Sequence, residues 1–128
     1  MPEPKIVAAI LCEMTRPELN NKVSIIGAYS GDVVVQSFPA TFPLSSYFEV
    51  SEVDAGAHQL NIKMEAPGFR SEVSAELEVF GGGIAALPMP MMMLAVSEPG
   101  DLTIQIKFDD GEWHTALARK ILQGPVVQ

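Results

Sequence analysis

Three stretches of the chain repeat with a period of two residues. Leu60, Ile62 and Met64 alternate with Gln59, Asn61 and Lys63. Val73, Ala75, Leu77 and Val79 alternate with Glu72, Ser74, Glu76 and Glu78. Leu102, Ile104, Ile106 and Phe108 alternate with Thr103, Gln105 and Lys107. A strand turns successive side chains to opposite faces, so each run predicts a strand with one face in a core and the other in water.

The remaining segments extend this pattern. Ile6 to Met14 is apolar on both faces, which predicts a central strand or one covered by a partner. Asn20-Asn21 is a turn signal before a strand at Val23 to Ile26, and Val33 to Val35 continues beyond Ser30-Gly31-Asp32. Pro39 and Pro43 frame a stretch that cannot be a central ladder, and Leu44, Ser46, Phe48 and Val50 then alternate. Pro67-Gly68 turns the strand His58 to Glu65 into Arg70 to Phe80. Ile84 to Val96 is apolar but carries Pro88 and Pro90, predicting an edge strand or extended loop. Asp109-Asp110-Gly111-Glu112 joins Leu102 to Phe108 and Trp113 to Ile121 as a hairpin. About eight short strands with no helical pattern predict an all-β fold. We read it as an antiparallel, immunoglobulin-like β-sandwich in which residues 1–128 form one domain.

Apolar residues make up 48% of the chain and charged ones 19%, which argues for a packed core over disorder. The formal charge of -8 opposes binding to nucleic acid or anionic membranes. A lone cysteine, Cys12, cannot form an internal disulfide, and the Ile6 to Cys12 stretch is too short to span a bilayer. Both features fit a cytoplasmic protein. Ala9-Ile10-Leu11-Cys12 has only a superficial likeness to a lipoprotein cleavage site, because Leu11 is bulky.

Catalytic and cofactor signatures are sparse. Gly81, Gly83 and Ala86 match the spacing of a dinucleotide loop, but Pro88 and Pro90 would break the helix that such a loop opens. No serine-nucleophile signature is present, and Cys12 in an apolar strand reads as an inert buried thiol. Asp54, Asp101, Asp109 and Asp110 are candidate Ca²⁺ oxygens, although Asp109-Asp110-Gly111 is also ordinary turn chemistry. No cofactor, no small-molecule substrate and no catalytic residue is predicted.

Met89-Pro90-Met91-Met92-Met93 is the most unusual local composition. Methionines fill irregular gaps in cores, adapt to partners and ligate Cu(I), and the absence of nearby histidines disfavours copper. Met89, Met91, Met92 and Met93, with Ile6, Ala8 and Ile10 of the two-sided first strand, are therefore the candidate interface with a protein partner or a second copy. Glu72, Glu76 and Glu78 share a strand face with Ser74, a solvated face or a patch for a basic partner. Trp113 is expected in the core.

Ile10 to Glu13, Lys22 to Tyr29, Phe38 to Pro43, Gly56 to Gly68 and Gly100 to Glu112 give the chain a further likeness. Across these segments it resembles an uncharacterised bacterial family of small β-sandwich proteins. The resemblance implies an immunoglobulin-like sandwich and brings no activity or site. Two functional readings follow. The first is a non-catalytic binding or self-assembly module. The second is a small metal-dependent binder or enzyme built on His58 or His114 with carboxylates from Asp54, Asp109 or Asp110.

Overall fold

A computed structural model describes residues 4–20, 22–80 and 84–124. Within them the chain is all-β, with ten strands and no helix. In order these are β1 Lys5–Glu18, β2 Lys22–Ala28, β3 Val33–Val35, β4 Ala40–Ser51, β5 Gly56–Ala66, β6 Phe69–Val79, β7 Ala85–Pro88, β8 Met92–Val96, β9 Gly100–Phe108 and β10 His114–Gln123. Among the described residues no helix is long and apolar enough to cross a membrane.

Two sheets form a sandwich. The first has the order β2-β1-β4-β7, with β8 also pairing with β4, and the second has the order β3-β10-β9-β5-β6. The inward halves of the alternating runs meet between them. Leu44, Phe48, Val50, Leu94 and Val96 of the first sheet are buried with Ile104, Ile106, Leu102 and Ile121 of the second. Each such side chain contributes about 1.5–3 kcal/mol by leaving water.

Several expectations are corrected. The strand count is ten, because Val33–Val35 crosses to the second sheet and Ile84 to Val96 divides into β7 and β8. The pairing is not wholly antiparallel: β3 runs parallel to β10, with Ile121 opposite Val33. Strands β1 and β4 are long, and β4 includes Pro43. The proline is accommodated because β1 pairs with β4 only from Ser45 onward, leaving one side of the chain open around Pro43. On that side Tyr29 Oη donates to Pro43 O (2.7 Å), and a strand residue's N and O point the same way, so no ladder bond is lost. Trp113 lies on the outer face of the second sheet, its ring 4.4 Å from Lys63 Nζ and 5.1 Å from Lys107 Nζ. A register shift between Thr115 and Leu117 breaks the simple alternation of β10, so Leu117 is buried and Ala118 exposed.

The β5–β6 turn is fastened to the strand opposite. Ser97 N, just after β8, donates to Pro67 O (3.1 Å). A Cβ on Gly68 would come within 2.8 Å of Ser97 Oγ, and one on Gly100 within 2.5 Å of Pro67 Cγ. Gly68 also has φ near +80°, a region that favours glycine.

Candidate functional site

On the inner face of β4, Phe42, Leu44, Phe48 and Val50 are interrupted by a small residue, Ser46. Opposite this point the neighbouring strand carries a surplus residue. Tyr47 pairs with Pro88 and Leu44 with Met92, so Met89, Pro90 and Met91 stand against only Ser45 and Ser46. This bulge separates β7 from β8. The main chain is pinned at Met89, whose N donates to Ser46 O (2.9 Å) and whose O accepts from Ser45 Oγ (2.6 Å) and Thr15 Oγ1 (3.2 Å).

Missing volume at Ser46 and the outward bulge leave a cavity of about 150 Å³ between the sheets. Leu44, Ser46 and Met92 line it from one side and Ile62, Met64 and Ile104 from the other. Met91 (51% exposed) and Val73 (50% exposed) also line it and reach solvent at its mouth. The mouth opens along the seam between β6 and the β7–β8 edge. Its lining is almost wholly apolar, a surface suited to an aliphatic or aromatic group.

The predicted interface residues do not form one surface. Met89 and Met92 pack against the core. Met91 stands in the seam, while Met93 (56% exposed) points to the outer face, alternating with buried Leu94. Ile6 also turns toward the core, because the register of β1 shifts between Ile6 and Ala8. Ala8 and Ile10 face the opposite way and share a shallow depression with Val23, Ile25 and Tyr47 on the outside of the first sheet.

At one end of the second sheet His58 joins two loops. Its Nδ1 donates to Asp109 Oδ2 (2.6 Å) and its Nε2 to Asp54 O (2.6 Å). Carboxylate and carbonyl oxygens only accept, so the two bonds form together only on the protonated ring, the state they favour. The bonds to Asp109 and Asp54 raise the His58 pKa against the opposing effect of burial. Bonds from His58 and from Gln59 N (2.9 Å) hold the Asp109 carboxyl below its usual range. Asp109 has φ near +53°, in the left-handed region that Asp tolerates. In this state His58 offers no lone pair to a metal.

His114 is not part of this group. It pairs with Ile106, which pairs with Ile62, four residues along β5 from His58, or about 14 Å at a strand's rise. Asp101 reaches Lys120 Nζ instead (3.3 Å). Among the described residues no three His, Cys, Asp or Glu side chains converge as a metal group. Cys12 is fully buried, and that burial raises its pKa. Of the glycine-loop residues, Gly81 and Gly83 lie outside the described residues, and Ala86 belongs to strand β7.

The fold and seam define a class: a two-sheet β-sandwich with an apolar cavity open along one pair of edges. Residues 7–118 match DUF6941, a family of unknown function, and the chain belongs to that family. No curated protein matches the chain.

Proposed function

We propose that the protein is a non-catalytic binding module that receives another protein at the seam between β6 and the β7–β8 edge. One observation carries this reading: an apolar cavity of about 150 Å³ stands open there, with half-exposed Met91 and Val73 at its mouth. Methionine side chains repack at low cost, which suits them to receive an anchor residue. The engagement of both His58 nitrogens makes the metal-dependent reading the weaker one.

The finer features of the resemblance belong to the same proposal. An immunoglobulin-like order is supported by β4 pairing with β7–β8 in one sheet and by β5, β9 and β10 standing side by side in the other. A cytoplasmic location is supported by the buried, unpaired Cys12, and a bacterial source rests on the resemblance alone.

A photo-crosslinking residue placed at Met91, and at Leu122 as a control, tests the binding site. A saturable adduct of one mass from position 91 alone is expected. Equal, diffuse labelling at both positions rejects the seam.

A further inference from the structure

We propose that β6 is a strand-addition edge for an extended, basic segment of a partner protein. This rests on the seam reading above and names its occupant. In it, apolar side chains of the segment enter the cavity, and alternate lysines or arginines lie beside Glu76 and Glu78.

The first observation is a contrast among the sheet edges of the described residues. Strand β3 is three residues long, β2 is seven, and the β7–β8 edge is divided by the Pro90–Met91 bulge and carries Pro88. Strand β6 has eleven residues, a continuous register with β5, no proline and no bulge. The side of β6 away from β5 therefore presents a row of main-chain N–H and C=O groups with no strand neighbour. A long regular edge of this kind is a template for another strand.

The second observation fixes the chemistry of that strand. Outward, β6 presents Glu72, Ser74, Glu76 and Glu78, all exposed; inward it presents Ser71, Val73, Ala75 and Leu77. An added strand alternates in the same way, with one set of side chains beside the glutamates and the other over the seam. Across β5, Glu72 faces Lys63 and Arg70 faces Glu65, but Glu76 faces Gln59 and Glu78 faces Ala57. The charges at positions 76 and 78 thus lack a cross-strand cation, and an incoming lysine or arginine supplies one. The cavity volume suits one branched aliphatic or small aromatic group.

A second copy fits this edge less well. An antiparallel β6 pair centred on Ser74 sets Arg70 against Glu78 but Glu72 against Glu76, and one centred on Ala75 sets Glu72 against Glu78. A pair centred on Val73 sets Arg70 against Glu76 but leaves Glu78 unmatched, and each copy carries a net charge of -8. Like charges directly opposite one another destabilise a ladder.

The test uses the full chain, isotopically labelled, and titrates it with the heptapeptide Lys-Leu-Lys-Val-Lys-Leu-Lys and with its counterpart carrying Glu for Lys. Amide shifts concentrated in residues 70–79, methyl shifts at Met91 and Met92, and roughly tenfold weaker binding of the acidic peptide are expected. In the Glu76→Lys/Glu78→Lys variant the preference between peptides should reverse, which a merely misfolded protein would not show. Equal response to both peptides, shifts mapping elsewhere, or a dimeric mass by light scattering with β6 protected overturns the proposal. If the peptides fail while the Met91 crosslinker still gives its single adduct, strand addition alone is lost; if both fail, the seam reading goes with it.

Discussion

The two edges that flank the seam handle the same problem in opposite ways. On the β7–β8 side, Pro88, Pro90 and a one-residue surplus interrupt the ladder, and the inward side chains Leu87, Leu94 and Val96 are buried. On the β6 side the ladder is unbroken, the outward residues are charged, and the inward Val73 is half exposed. One edge gives up pairing capacity and keeps its core. The other keeps pairing capacity and leaves part of its inner face uncovered. The difference shows that protection of a sheet edge and completion of a core are separable, since blocking β7–β8 is what opens the space beneath Met91.

The sharpest way to break this contrast is to truncate one inward residue on each side. Leu94→Ala is expected to cost about 3 kcal/mol, within the usual range for a fully buried leucine, while Val73→Ala should cost under about 0.5 kcal/mol. Urea denaturation checks both, and similar losses at the two sites would erase the distinction.

Next in size is the fastening at the far end of β6. His58 stands opposite Leu77, and its removal frees the loops that carry Asp54 and Asp109. His58→Ala should cost about 1–2 kcal/mol near pH 5.5 and speed amide exchange at Leu77 to Val79 while leaving β8 unchanged. The pH dependence follows from two opposite shifts. His58 titrates above its ordinary value of 6.5 in the folded chain, so its contribution is complete below 6.5 and is lost as pH rises through the folded value. Asp109 titrates below its ordinary 3.8, so its contribution is present above 3.8 and is lost as pH falls through the folded value. The pair therefore stabilises most between those limits. A stability profile identical to that of His58→Ala across pH 5 to 8 would refute the assignment.

A smaller effect is expected from closing the space between the edges. Ser46→Val should raise stability by about 0.5–1 kcal/mol by filling an apolar void, and should weaken peptide binding at the seam. Thermal unfolding and the same amide titration measure the two consequences together.

Much of this architecture is legible in the residues. The alternating runs at 59–64, 72–79 and 102–108 are β5, β6 and β9, the Pro67-Gly68 turn joins the first two, and the prolines near residue 90 mark an edge. What periodicity does not carry is any event that adds or drops one residue. Register shifts at Ile6/Ala8 and Thr115/Leu117 and the surplus at Pro90–Met91 each re-aim the side chains that follow. Parity alone puts Ile6 and Ala8 on one face, and the shift sends them to opposite faces. Ser46 was visible as a polar residue in an apolar series, yet its meaning depends on Met91 arriving opposite it from 45 positions away. The bond between His58 and Asp109 likewise joins strands 51 residues apart, with no local signal in either.

The hydrogen bond from Ser97 to Pro67, with Gly68 and Gly100 packed into the same contact, clamps the two sheets together at one corner. Widening of the seam is therefore most strongly opposed at that corner, beside Pro67. Leu77 lies near the other end of β6, far from this fastening, so the groove has a direction as well as a shape.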